Sequence, residues 1–372
     1  MISGRYVSKR ERAASSAQTD QSPAEPNSET SPIVFGSLSD RIISDDTATT
    51  AKKMRISANE LPTTLSLALR SHSNAVNALS WSPSNAHLLA SASMDQSACI
   101  WNISETDGIP VRIFKFHNAA INDVKWSPNG DTILSCGYDS SSRLTDVEKG
   151  IQTQIFKESQ VVKAITFDPQ NPSLFMSGGS AGYLRLWDVR TAEPTPVHEY
   201  FRGAGSVLGI EFINSNECIS SCDVTGSNIS ENSIVVWDIS RQVPLSHQVY
   251  VEAYTCPSVR CNPTGRNFVA QSNGNYIAIF SSKYPFRMDK YKRCEGHRVD
   301  GFPVKCNFSK DGKKLASGSS DGSIWFYNPR TTHLLKRIKA YKNDPCLDVA
   351  FNPSNPNVIA CCSWNGHISI YE

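Results

Sequence analysis

The feature that most limits this chain of 372 residues is a unit of forty-odd residues that recurs seven times. Each unit holds an apolar strand ending near Pro, a strand of small residues, a polar turn, and a strand that usually closes on an aromatic. The closing position falls at Trp101, Thr145, Trp187, Trp237, Phe280, Tyr327 and Tyr371, so successive units lie 44, 42, 50, 43, 47 and 44 residues apart. A unit this short cannot bury its apolar faces alone, so copies must stack. Short alternating apolar runs separated by Gly, Asn, Ser and Asp have a period of two, the signal of strands joined by tight turns. Both demands are met by four-stranded sheets set around an axis. The expected fold is all-β, a seven-bladed β-propeller.

The chain divides once. Residues 1–60 carry sixteen Ser or Thr, two aromatics (Tyr6 and Phe35), and eight basic residues against eight acidic ones. That composition cannot bury a core, so a disordered Ser/Thr-rich tail is expected there. Its features are two weak basic clusters, SKRER (8–12) and AKKMR (51–55), and two Ser-Pro steps open to phosphorylation, Ser22-Pro23 and Ser31-Pro32. The propeller is expected over 64–372. It ends on HISIYE, a third strand, so the outer strand of the last blade is expected from TLSLALR (64–70), which removes an open sheet edge.

No run approaches the roughly eighteen apolar residues of a membrane span, and MISGRYVSKRER lacks the apolar stretch of a secretion signal. An intracellular protein is expected. In a reducing compartment the eleven scattered cysteines read as small buried hydrophobes and not as bridges. A net charge of +2 does not by itself imply a nucleic-acid partner, because phosphate binding uses clustered Lys and Arg.

The first unit reads VNALSWSP, LLASASMD, ACIWNI and VRIFKFH, and it resembles the WD repeat. In that family the resemblance implies a hydrogen-bonded chain from the Asp of the turn between second and third strands, through His, to Ser and Trp. His72, Ser91, Asp95 and Trp101 occupy those places. His297, Ser317 and Asp321 repeat the set in the sixth unit, with Tyr327 in the Trp place. Such networks specify packing and need no ligand. Thr145 departs from the closing aromatic, Ala181 and Gly274 depart from the turn Asp, and the fourth unit has the longer turn DVTGSNISEN. Those units are expected to rely more on apolar packing.

Catalysis on this scaffold would need a nucleophile with a base, paired carboxylates, a metal cluster or a phosphate loop, and none stands out. Cys218 and Cys222 lack a second Cys or His pair at zinc-finger spacing. Cys361 and Cys362 fall in a small-residue strand, where alternation is expected to send one inward. No enzyme activity, cofactor, metal or small-molecule substrate is expected, and the chain should work by binding other proteins.

Function usually sits on loops. Three turns carry a large residue just before the Asp position, Met94, Tyr138 and Trp364, and Phe302 lies in the long loop RVDGFPV. These four either form a partner-binding face, or one or two of them fold back over the ring to plug its channel. A second feature is SSKYPFRMDKYKR (281–293), where Lys283, Arg287, Lys290, Lys292 and Arg293 interleave with Tyr284, Phe286 and Tyr291. It suits RNA phosphates with stacked bases, an acidic protein segment, or a solvated edge strand.

Specific strings narrow the resemblance: SMD (93–95), YD (138–139), PFRMDKYKRCEGHRVDGF (285–302), TTHLLKRIKAY (331–341) and SWNG (363–366). In this order they resemble the C-terminal propeller of the pre-mRNA-processing factor seventeen family, also called cell-division-cycle forty. The match to that factor's shorter WD-repeat paralogue looks closer still. The tail departs from the family by being far shorter, and Trp364-Asn365 replaces Trp-Asp. The resemblance implies a non-catalytic scaffold of multiprotein pre-mRNA splicing complexes, placed in the nucleus, with the cytoplasm as the other compartment open. A second reading, the substrate receptor of a cullin-based ubiquitin ligase, comes from WDVR (187–190), which resembles the Trp-Asp-x-Arg end of an adaptor-binding box. Ala181 stands where that box normally has an acidic residue.

Overall fold

The closing residue of every unit occupies the same place in the structure. Trp101, Thr145, Trp187, Trp237, Phe280, Tyr327 and Tyr371 lie opposite Leu89, Ile133, Phe175, Cys218, Phe268, Leu315 and Ile359 of the neighbouring strand. All seven closing residues are buried. This computed structural model describes residues 61–105, 107–201, 205–223, 233–246, 249–250, 252 and 254–372. The tail expected over 1–60, with its basic clusters and Ser-Pro steps, lies outside the described residues, as does most of DVTGSNISEN.

The described residues form seven antiparallel four-stranded sheets and no helix, a seven-bladed β-propeller. Strands are lettered a to d within each blade. Blade 1 consists of Val76–Trp81, Leu88–Ser93, Ala98–Asn102 and Pro110–Phe114. Blade 5 consists of Ser258–Cys261, Asn267–Ser272, Tyr276–Ser281 and Met288–Glu295, and blade 6 of Cys306–Phe308, Leu315–Ser317, Ser323–Tyr327 and Leu334–Lys339. Blades 2, 3 and 4 begin at Ile121, Val162 and Ser206. Blade 7 joins Cys346–Phe351, Ile359–Ser363 and His367–Tyr371 to Leu65–Arg70 as strand d. Leu67 pairs with Ile370 and Arg70 with His367, while Thr64 and Glu372 exchange backbone hydrogen bonds of 2.9 Å. The ring is thereby closed by a strand from the other end of the propeller sequence, and the third strand of its last blade is paired on both sides.

Small residues in strand b follow from stacking. Each strand b is covered by the preceding and following blades, so both of its faces are interior. A Cβ on Gly178 would lie 2.6 Å from Val207 Cγ1 of blade 4. The same cover corrects the reading of Cys361 and Cys362: both are buried, Cys361 against the cluster shared with blade 6 and Cys362 against the cluster shared with blade 1. Alternation still points them to opposite sides, but neither side is solvent. Indole N–H groups also tie blades together, with Trp81 donating to the Ala350 carbonyl at 2.9 Å and Trp126 to the Ser80 carbonyl at 3.0 Å.

A four-stranded meander fixes the loops. The b–c turns and d–a connections lie on one face of the ring, here the upper face, and the a–b and c–d turns lie on the lower face.

Candidate functional site

Blade 1 contains a continuous hydrogen-bonded chain. Trp101 Nε1–H donates to Ser91 Oγ at 2.8 Å, Ser91 lies 2.7 Å from His72 Nε2, and His72 Nδ1 lies 2.9 Å from Asp95 Oδ2. Burial pushes the Asp95 carboxyl up, but hydrogen bonds from His72 and Ser97 outweigh it and hold Asp95 well below the usual carboxylate range. Blade 2 builds the same link without an indole: His117 reaches Asp139 at 3.0 Å and Ser135 at 2.8 Å, beside Thr145. The reading that this blade relies on apolar packing is therefore incomplete. In blade 3 a carboxylate takes the histidine's place, with Ser177 donating to Glu158 Oε1 at 2.5 Å and Trp187 donating to Ser177 at 2.9 Å.

Blade 6 differs from its expected arrangement. His297 meets the Gln271 amide at 2.6 Å and the Tyr327 hydroxyl at 3.0 Å, and Ser317 Oγ donates to Gln271 Oε1 at 3.0 Å. Asp321 instead pairs with Arg337 at 2.7 Å. The physical reason is Tyr327: its hydroxyl reaches the histidine itself, and Gln271 of blade 5 supplies the remaining donor and acceptor. Desolvation lowers the His297 pKa to about 4, so the ring is neutral at pH 7.

The upper face holds the four large side chains. Met94, Tyr138 and Trp364 occupy equivalent turns, their amides donating to the carbonyls of Ala75, Ala120 and Pro345 at 2.8, 2.9 and 3.2 Å. Each turn is completed two residues later by a positive φ, at Gln96 (70°), Ser140 (57°) and Gly366 (83°). Tyr138 is 50 % exposed and Trp364 38 % exposed. Phe302 meets Trp364 edge to face, with centroids 5.5 Å apart, and both Phe302 and Met94 pack against the core cluster of blades 7 and 1. Two of the four are thus partly structural, while Tyr138 and Trp364 present rings to solvent.

The lower face and rim hold the basic segment. It supplies the c–d turn and outer strand of blade 5. Phe286 is buried in the blade and Tyr284 is exposed. Arg293 is engaged, because its guanidinium pairs with Glu252 and lies 4.6 Å from the centre of the Tyr276 ring. Lys292 lies 3.6 Å from Asp289. Among the described residues no ion pair involves Lys283, Arg287 or Lys290. Arg287, Met288, Asp289 and Lys292 line a cleft of about 570 Å³, and two further cations face it, Arg266 from the a–b turn of blade 5 and Arg330 from the c–d turn of blade 6. Sequence reading missed Arg266 and Arg330. The available signal was their position in TGR and NPR turns that the strand alternation brings to the same face as 281–287.

The eleven cysteines are free thiols, nine of them buried, and Cys218 packs its sulfur 3.4 Å from Met176 Sδ. Burial raises the pKa of the Cys294 thiol to about 12. Among the described residues no group of three His, Cys, Asp or Glu is placed to hold a metal ion.

Seven sheets, a ring closed by an early strand, and a His–Ser–Trp link in the best-formed blade define a WD-repeat β-propeller. The family described as WD domain, G-beta repeat matches residues 63–102, 108–146, 289–328 and 333–372. The chain is similar to WD repeat-containing protein 25 of Mus musculus, 35 % identical over 307 residues, which cover 82 % of this chain and 57 % of the relative. It is also similar to pre-mRNA-processing factor 17 of Mus musculus, at 30 % over 81 % of this chain and 51 % of the relative. The factor of the same name from Saccharomyces cerevisiae is 26 % identical over 81 % of this chain and 65 % of the relative. The chain thus spans about half the length of the two Mus musculus relatives it matches.

Proposed function

We propose that this propeller is a non-catalytic scaffold of nuclear pre-mRNA splicing complexes, holding protein partners on its upper face and touching RNA through the basic segment 281–293. One observation carries the reading. The repeat family matches only 63–146, with a short break, and 289–372, yet the relatives align over 304 to 307 residues. The likeness therefore includes blades 3 to 5, and in blades 3 and 5 the polar links are built from Glu158 and Tyr250 in place of the repeat's histidine. A likeness carried by generic repeat residues would fade there.

The upper face supports a binding role. Tyr138 and Trp364 stand on turns whose backbones are fixed by hydrogen bonds, so their rings are presented with little ordering cost. The polar networks below them are internally paired and serve packing.

Affinity purification of the tagged chain from cells, followed by mass spectrometry, tests the proposal. Splicing proteins should co-purify. Recovery of a cullin and its adaptor instead would establish the ubiquitin-ligase reading, for which Asp188 and Arg190 of the WDVR stretch are the contact candidates. In this structure those two side chains pair with each other at 2.6 Å.

A further inference from the structure

Four cations from three separate turns and a strand meet at the lower junction of blades 5 and 6. Arg266, Arg287, Lys292 and Arg330 line the cleft there, against one carboxylate, Asp289. That carboxylate is already engaged, accepting the Tyr291 amide at 3.1 Å and lying 3.6 Å from Lys292. Among the described residues no ion pair involves the three arginines, so the cleft carries uncompensated positive charge.

The outer strand of blade 5 adds a second element. Phe280 pairs with Met288 and Ala278 with Arg293, so two steps along strand c are matched by five along strand d. The three extra residues bulge outward and carry Lys290, Tyr291 and Lys292. Tyr291 is 98 % exposed, a whole aromatic ring in water between two lysines, next to the cleft.

We infer that the cleft and this bulge form one site for single-stranded RNA, with Arg266, Arg287 and Arg330 binding phosphates and Tyr291 stacking on a base. The planar guanidinium fork matches phosphate geometry. A protruding ring suits a base stack, which needs a flat face and no enclosing pocket. Single strands are favoured over duplex because only unpaired bases can splay onto a side chain. An acidic peptide would satisfy the arginines but leave Tyr291 without a partner. The inference deepens the RNA contact proposed above by naming the strand type and by adding Arg266 and Arg330, which lie outside 281–293.

The test is fluorescence anisotropy of the full chain with a labelled oligouridylate of about 10 nucleotides, at several salt concentrations. Arg266→Glu with Arg330→Glu should weaken binding by at least about tenfold and flatten the salt dependence by about two phosphate contacts. Tyr291→Ala should weaken it by roughly tenfold with the salt slope unchanged, and Tyr291→Trp should retain it. These side chains are solvent-facing, and thermal scans together with the milder Arg266→Ala, Arg330→Ala pair separate loss of binding from loss of folding. Wild-type affinity in both charge-altered and Tyr291→Ala proteins would overturn the inference, as would tighter binding of polyglutamate than of RNA. Arginine-dependent RNA binding by a chain that recovers no splicing proteins would keep this site and refute the splicing proposal. Recovery of splicing proteins by a chain that binds no RNA would do the reverse.

Discussion

The Gln271 amide of blade 5 lies 2.6 Å from His297 Nε2, in the connection that leads into blade 6, and joins two blades through one imidazole. The Gln271 carbonyl oxygen accepts from Ser317, so its amide N–H groups face the ring and Nε2 must accept. His297 Nδ1–H then donates to the Tyr327 hydroxyl oxygen at 3.0 Å, while that hydroxyl donates to the Glu295 carbonyl at 3.1 Å. The bonding is complete only for a neutral histidine.

Acid should therefore weaken the ring in two stages. The folded pKa of His297 is lowered from 6.5 to about 4, so its contribution is fully present above 6.5, falls as pH drops through that window, and is gone below it. The gap corresponds to about 3 kcal/mol. Asp95 and Asp139 are also held low in the folded state, so what they contribute is lost below their ordinary value of 3.8. Denaturant midpoints from pH 7 to 4 should fall for the wild type and much less for His297→Asn. Equal slopes would show that His297 does not set the upper stage.

In blade 1 the indole should outweigh the carboxylate. Trp101→Ala removes a fully buried ring and the donor to Ser91, at a cost of about 3 to 5 kcal/mol. Asp95→Ala leaves the apolar contacts intact and should cost roughly 1 to 3 kcal/mol. Thr145→Ala, at the matching place in blade 2, removes no indole and should cost roughly 1 kcal/mol. Urea titrations of the three variants give the order directly.

The period located every closing residue because a buried residue, aromatic in six of the seven units, repeats at a fixed register, and even Thr145 falls at the expected place. The link in blade 1 was legible because all four residues match a known pattern. The links in blades 3 and 5 were hidden because Glu158 and Tyr250 do a histidine's work with different atoms, and no local spacing announces such a swap. Arg266 and Arg330 were hidden because they are 64 residues apart and meet only when two blades stack.

Ring closure should depend on one face of one strand. Leu69 is buried between blades 7 and 1, whereas Leu65, on the same strand, is 54 % exposed. Leu69→Asp buries an unpaired carboxylate in the closing blade and should cost more than about 4 kcal/mol. Leu65→Asp should change stability by less than about 0.5 kcal/mol. Thermal melts and limited proteolysis of the two variants test this, and similar behaviour of both would mean that the closing strand is not needed.

The upper-face prediction rests on Trp364 and Tyr138. Phe302 holds the Trp364 ring at 71° from an edge-to-face distance of 5.5 Å, so a partner meets a ring already oriented. Large exposed aromatics with little left to order are the side chains that dominate protein interfaces. Replacing Tyr138 and Trp364 together by Ala should weaken partner capture by more than about 2 kcal/mol, with Trp364 carrying the larger share. Neither ring is part of the core, so folding stability should stay within about 0.5 kcal/mol. Phe302→Ala should instead lose both stability and capture, because that ring also packs on the core of blades 7 and 1. Capture should respond little to salt in all three, in contrast to RNA binding at the lower cleft. Quantitative co-purification at two salt concentrations distinguishes these outcomes, and unchanged recovery with the Tyr138, Trp364 double variant would remove the upper face from the account of partner binding.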